Sequence, residues 1–414
     1  MSTAQDFHIT IVGGGIAGLM AAIALRGENR QITVLERSRM LHETGALISL
    51  QPNASKIVTS WGIDRFLQSA EPMNDRCFRM INTAGEVVNE IRLDPSLFGA
   101  DRVLYHRQDL HSGLRDAATS KKLPGNPVNV RTSATVKSCD AEAGSVTLET
   151  GETITADLVI GADGIHSKVR EAVIGEHREA IPTGISAYRM LIPTESLKSI
   201  NIPAAALQPA DPVTTMVVGH DKRIIMGPGR GGKLFGIVAL VPDDKMHEES
   251  STNSWVEEGS REKLLEAYAD FPQWVKEIFD KAPEIGLWQL RDLDPLPTWV
   301  KGHTILVGDA AHPMLPTQGQ GASQSVEDAE ALKAFFENVR SKPSDMQIKD
   351  ALDKVVRARK ERASLIQKYS RQQAKPGTSA ESNKITLNPG QFMKYNCDYN
   401  GARDWLNRQN QIRV

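Results

Sequence analysis

Apolar and polar positions follow two rhythms along this chain. His8-Ile-Thr-Ile-Val12 alternates and is β-branched, the pattern of a strand. Leu19–Leu25 reads as a helix, and Gln31-Ile-Thr-Val-Leu35 returns to strand. The order strand, glycine turn, helix then recurs twice. Ala156–Gly161 is a strand that runs into Ala162-Asp163-Gly164-Ile-His-Ser167. His303–Val307 is another, running into Gly308-Asp309-Ala-Ala-His312-Pro. Thr317-Gln-Gly319-Gln320-Gly321-Ala322 and a helix over Ser323–Phe336 follow it. From about Ile181 to Trp288 the segments are short and strand-like. Ala351–Gln372 has Leu, Val and Ile at helical spacing among Lys and Arg, which predicts a surface helix with one buried face. Lys375–Ser382 reads as a linker. Phe392, Tyr395, Tyr399 and Trp405 mark a last amphipathic segment. Its aromatics are expected to dock on the main body; covering a site or a dimer contact is the alternative.

The first glycine turn carries the clearest chemistry. Gly13-Gly-Gly15-Ile-Ala-Gly18 sits between a strand and a helix, and Glu36 follows Gly18 by 18 residues at the end of the next strand. In this context Gly13 allows the tight turn, Gly15 lets the backbone approach a pyrophosphate, and Gly18 permits close helix–strand packing. The helix N-terminus offers free N–H groups to the diphosphate, and Glu36 can accept from a ribose diol. An acid there rejects a 2′-phosphate in this pocket, which fits FAD or NAD. Gly227-Pro-Gly229-Arg-Gly-Gly232 matches the same letters, but Arg223–Met226 precedes it and Lys233–Val241 follows. Strand on both sides predicts a hairpin, with no helix dipole for phosphate.

Composition narrows the partners. The chain has 414 residues, 49 basic and 51 acidic, for a net charge of −2. That balance gives no electrostatic footprint for nucleic acid. Cys77, Cys139 and Cys397 are widely spaced and odd in number, so a reducing compartment, the cytoplasm, is expected. Ile9–Leu25 is an uncharged run of 17 residues, too short for a bilayer and without a basic leader, so no membrane span is expected. No His/Cys/Asp spacing suggests a metal site.

With these motifs in this order, the sequence resembles the class A FAD-dependent aromatic monooxygenases. It is most similar to the salicylate-hydroxylase-like branch and its fungal biosynthetic relatives. Gly161-Ala-Asp163-Gly164, Gly308-Asp309-Ala-Ala-His312-Pro and Arg107 in His106-Arg107-Gln-Asp-Leu110 carry the resemblance. It implies an α/β fold with a Rossmann-like FAD-binding domain, an inserted mixed β-sheet substrate domain and a C-terminal helical region. The FAD-binding part would comprise residues 1–180 and 289–340, the substrate sheet residues 181–288, and the helical segment residues 341–414. It also implies that Glu36 and its neighbour Arg37 serve the adenosine end. Arg107 would reach the diphosphate or ribitol, with a guanidinium fork suited to phosphate. Asp163 would line the groove shared with the nicotinamide, and Asp309 would bind near the ribityl chain. Gly45–Ala46 would touch the flavin, and Gly321 and Ala322 would place N–H groups by its pyrimidine edge, where a helix N-terminus stabilises negative charge. Ser323 departs from the Asn often found there and receives no role. His312 is expected to hold its turn.

The implied reaction is hydroxylation of a small phenol or aromatic acid with NADH or NADPH and O2, through a flavin C4a-hydroperoxide. Decarboxylative hydroxylation, an indole-type substrate and a non-hydroxylating flavoprotein are the alternatives. Arg189, in Ala187-Tyr-Arg189-Met, resembles the family's strand arginine facing the flavin; a plain strand arginine is the alternative. His220 could be a general acid or base, or a turn residue. Pro316 is expected to line the reaction cavity, and Trp288 to be core. A homodimer is possible.

Overall fold

The computed structural model describes residues 6–39, 46–245, 257–339, 341–374 and 389–412. Phe7–Val12 lies inside a six-stranded sheet. It pairs in parallel with Arg30–Leu35 on one side and Leu158–Gly161 on the other. Leu158–Gly161 in turn pairs in parallel with Thr304–Leu306. The strands are buried on both faces, as parallel strands are. Ile9, Ile11, Val34 and Ile160 pack with the helices Ile16–Ala24, Arg107–Thr119 and Gly321–Phe336. Val12, Leu35, Val159 and Leu306 pack on the other side with Val146 and Leu148 of a small antiparallel sheet and with Val169 and Val173 of the helix Lys168–Ile174. The three strands that run into the predicted glycine turns are neighbours. Their turns therefore meet at one carboxyl edge of the sheet, where open α/β sheets bind ligands.

The second sheet has eight strands. Ile181–Pro193 pairs antiparallel with Leu234–Pro242 and Gly286–Asp292. Arg223–Gly229 and Leu234–Pro242 form the predicted antiparallel hairpin. Beyond them, Val213–Val218 pairs in parallel with Cys77–Asn82, which pairs with Val87–Arg92. Residues 77–92 thus join this sheet, although they fall inside the segment read from sequence as FAD-binding. The physical reason is a non-local pairing: Ile81 completes the core of the second sheet with Tyr188, Ile237 and Phe279. One face of the sheet is covered by the helices Arg261–Ala267 and Gln273–Asp280. On the other face Ala187, Leu240 and Leu290 pack on Leu315, which follows the Gly308 turn. Through Leu315 that face meets the segment that leaves the Gly308 turn of the dinucleotide-type sheet.

The helix Asp345–Ala374 is longer than the pattern predicted, and the tail forms the helices Pro389–Cys397 and Ala402–Ile412. The tail aromatics dock on the main body. Phe392 stacks on Tyr369 with ring centroids 3.6 Å apart. Arg362 lies against Tyr395, Tyr399 and Trp405 at 5.1, 5.0 and 4.6 Å. Its guanidinium also holds the buried Glu327 carboxylate bidentately, at 2.7 and 2.8 Å. Such a buried ion pair stabilises only when fully hydrogen-bonded, and Asn53 and Arg359 complete the set around Glu327. Among the described residues no helix is long and apolar enough to cross a membrane. The predicted linker at 375–382 and Gly45 lie outside the described residues.

Candidate active site

The three glycine turns are packed into one another. Gly13 has φ +102°, and a Cβ there would lie 2.3 Å from the Ala162 carbonyl oxygen of the second turn. A Cβ on Gly18 would lie 1.9 Å from the Gly13 oxygen. A Cβ on Gly308, in the third turn, would lie 2.6 Å from that of Ala17 in the first helix. Gly15 is different: a Cβ there would meet nothing within 4 Å. The Gly15 turn thus faces open space at a helix N-terminus.

Side chains hold this arrangement. Glu36 accepts from the Gly14 N–H at 2.7 Å and the Ser38 N–H at 2.8 Å. The His111 ring pins the Gly14 carbonyl at 2.7 Å. The buried Arg170 donates to the Ile165 and Gly164 carbonyls of the second turn and to the Asp309 and Ala310 carbonyls of the third. One guanidinium therefore clamps two turns about 140 positions apart. His312 binds Asp328 at 2.7 Å, and the same carboxylate accepts from the Gly308 N–H at 2.9 Å. His312 holds its turn, as expected. Burial alone would raise the Asp328 pKa, but His312 and Arg359 overcome it and hold it at about 2.

Asp163 turns inward. Its carboxylate accepts from Ser167 Oγ at 2.5 Å and the Lys168 N–H at 2.7 Å, capping the helix Lys168–Ile174. Asp309 is exposed along the cleft, yet surrounding protein desolvates its carboxyl and raises its pKa against the opposing pull of His312, Arg107 and Arg170. Arg107 opens the helix Arg107–Thr119, and its N–H donates to the Ala46 carbonyl at 2.9 Å. Its charge also acts on Arg189, across the cleft. Arg37 is exposed and close enough to His166 that, after burial, it is the first charge lowering that imidazole's pKa; Arg291 and Arg170 add to it.

The helix predicted from Ser323 begins at Gly321. Gly321 and Ala322 therefore lie in its first turn, where no side chain caps the helix, and a Cβ on Gly321 would meet nothing within 4 Å. Ser323 is structural: its hydroxyl accepts from the Gln51 N–H at 3.0 Å.

On the substrate sheet, Arg189 lies over the Trp288 ring at 4.7 Å. Its Nε has no hydrogen-bond partner among the described residues. Burial, with the nearby Arg107 charge, lowers its pKa to about 10. Pro316 is exposed at the start of a short turn that follows Leu315. The turns of Gly13, Asp163 and Asp309 are thus in contact through Ala162, Ala17 and Arg170, Arg107 is bonded to Ala46, and the Arg107 charge acts on both Asp309 and Arg189. His220 takes part in none of these contacts. The register Val218↔Arg223 closes the hairpin and leaves His220 exposed in the turn, next to Gly219, which packs on Phe271 of the helix-covered side.

A family model described as an FAD binding domain matches residues 6–348. The chain belongs to this family of FAD-dependent monooxygenases. The 3-hydroxybenzoate 6-hydroxylase 1 of Aquipseudomonas alcaligenes is 30% identical over 94% of this chain and 96% of its own. The hispidin-3-hydroxylase of Neonothopanus nambi is 30% identical over 79% of this chain and 80% of its own. A solved salicylate hydroxylase substrate complex superposes with a TM-score of 0.78 at 27% identity, covering 97% of this chain and 98% of that one. FAD is the family's cofactor, and this flavoprotein's own residues fit it. Gly15 and Gly321 each stand at a helix start with open space where a side chain would be, and the Asp309 carboxyl is exposed on the turn that Gly308 opens.

Three contributors escaped sequence reading. Arg170 and His111 sit on helix patterns that any surface residue could share, and Trp288 looked like core. Trp288 is half-buried and forms the platform for Arg189.

Proposed function

We propose that this chain hydroxylates a small phenol or aromatic acid at the expense of NAD(P)H and O2. The observation that carries the reading is Arg189: a desolvated guanidinium with an unpartnered Nε, seated on Trp288, on the substrate-sheet side of the flavin cleft. A desolvated cation with no carboxylate partner among the described residues is costly unless an anion completes it. A phenolate or aromatic carboxylate would do so, and Trp288 offers the ring a flat apolar neighbour. An aromatic held as phenolate is also more electron-rich, the property that electrophilic hydroxylation requires.

In this reading Glu36 takes the adenosine ribose, and the amides of the Gly15 turn take the diphosphate with help from Arg107. Asp309 takes the ribityl hydroxyls, and the Gly321 and Ala322 N–H groups support charge at the pyrimidine edge. Bound FAD supplies the electron store and the centre that activates oxygen. Arg37 and Arg291 place positive charge beside His166, where it would draw the diphosphate of NADH or NADPH. Ala46 and Pro316 restrict water around the ring. Asp163 acts indirectly, through the cap that fixes its turn. The free thiols Cys77, Cys139 and Cys397 support a reducing compartment such as the cytoplasm.

The test is NAD(P)H oxidation against a panel of phenols and aromatic acids, for the wild type and Arg189→Met. The variant should keep its flavin and raise the substrate KM by roughly tenfold or more, the loss of a charge-assisted bond of about 1.5–3 kcal/mol. An unchanged KM would remove Arg189 from the substrate site.

A further inference from the structure

The hairpin glycine cluster, rejected as a nucleotide site, has a different construction. Arg230, Gly231 and Gly232 are all left-handed, with φ of +47°, +60° and +85°. For an arginine that conformation is strained. The tip is held nonetheless. Arg230 Nε and Nη2 bind both oxygens of Asp109, at 2.6 and 2.8 Å, across 121 positions of sequence. The Gly231 N–H donates to the Glu71 carbonyl at 2.9 Å, and Lys233 pairs with the Glu71 carboxylate. Asp109 lies in the first turn of the helix that Arg107 opens. Burial works against its charge, but the hydrogen bond from Arg230 and the charges of His106 and Arg230 hold its pKa below the usual carboxylate value.

The same hairpin seats a second element. A Cβ on Gly229 would lie 2.5 Å from Leu47 Cδ2, and one on Gly236 would lie 2.4 Å from Leu47 Cγ. Leu47 pairs with His106 across the strands Leu47–Leu50 and Arg102–His106, next to the bond from the Arg107 N–H to Ala46. Ala46 and Leu47 are therefore gripped from two sides: by His106–Arg107 and by the glycine seat of the hairpin. The Arg230–Asp109 pair closes this grip.

We propose that Arg230 and Asp109 are positioning residues, a latch that fixes the substrate-sheet hairpin to the helix start carrying Arg107 and so sets the distance between the flavin side and the substrate side of the cleft. The proposal rests on the hydroxylase reading for its effect on the reaction. Coupled turnover consumes NAD(P)H, H+, O2 and the arene, and yields NAD(P)+, H2O and the hydroxylated ring. If the two sides are not held together, the same NAD(P)H, H+ and O2 end as NAD(P)+ and H2O2, with the arene unchanged. The latch favours the first outcome.

Arg230→Gly is the informative variant, because it removes the charge while relieving the left-handed strain. A merely structural arginine predicts an equal or higher melting temperature and unchanged coupling. The latch predicts an unreduced melting temperature together with a larger H2O2 fraction and weaker FAD binding by fluorescence titration of the apoprotein. Each should change about threefold to tenfold, the scale of a half-exposed bidentate pair. Asp109→Asn should show the same two changes, and Arg230→Lys should recover part of each. If Arg230→Gly and Asp109→Asn both keep FAD affinity and the H2O2 fraction within about twofold of wild type, the latch is overturned. A wild type that yields no hydroxylated product overturns the hydroxylase reading instead. FAD affinity in the variants then still decides whether the latch exists.

Discussion

Two segments of this chain spell the same glycine motif, and the structure makes opposite use of each position. At the first glycine, a Cβ on Gly13 would collide with the Ala162 backbone at 2.3 Å, whereas one on Gly227 would find its nearest atom at 3.6 Å. At the second, Gly15 faces open space, whereas Gly229 is crowded by Leu47 at 2.5 Å. The first motif is tight inside the protein and open toward a ligand. The second is open where the first is tight, and filled where the first is vacant for a diphosphate. What decides between them is the next element. A helix after Gly15 supplies amides and a dipole; a strand after Gly232 supplies neither. The letters report a need for small residues, and only their neighbours say for what.

Substitutions can break this contrast. Gly13→Ala should be the most damaging, because it adds a backbone clash to a left-handed φ of +102°. We expect a loss of about 3 kcal/mol or more, with the flavin lost on purification; thermal denaturation and the visible spectrum would check it. Acid should come next, acting on the first region through Asp328. The Asp328 pKa is about 2 in the fold, below its ordinary 3.8. The stabilisation it confers through Gly308 and His312 is thus complete above about pH 4 and is lost as pH falls through 2, about 2 kcal/mol in total. Urea unfolding at several pH values would show it, and Asp328→Asn should remove that slope.

Gly15→Ala should separate stability from binding. Its methyl enters empty space, so the apoprotein should unfold within about 0.5 kcal/mol of wild type. FAD affinity should fall roughly tenfold or more, because backbone can no longer approach the diphosphate. Gly227→Ala is the smallest expected change. Its Cβ has room, so stability and FAD affinity should both stay within about 0.5 kcal/mol of wild type. A Gly227→Ala variant that loses flavin, or a Gly15→Ala variant that keeps it, would dissolve the comparison.

The same contrast explains how much was legible beforehand. The strand–turn–helix units around Gly13, Asp163 and Asp309 are local, so period and glycine placement reveal them. Their convergence followed from the resemblance and is realised by adjacent parallel strands. Side-chain contacts across long stretches were not legible. Arg170 on the Asp309 turn, Arg230 on Asp109 and Ile81 in the second core depend on where distant segments meet. Conversely, His220 offered an imidazole for acid–base work, but the hairpin register turns it to solvent.

In the proposed function this protein transfers one oxygen atom from O2 to an aromatic ring. The direct measurement is mass spectrometry of product formed by the purified yellow protein with NAD(P)H, a stimulating phenol or aromatic acid, and isotopically heavy O2. One heavy oxygen atom per product, formed with substrate-stimulated NAD(P)H oxidation, is the predicted result. A product that carries oxygen from water, or NAD(P)H oxidation that no aromatic compound stimulates, would contradict it.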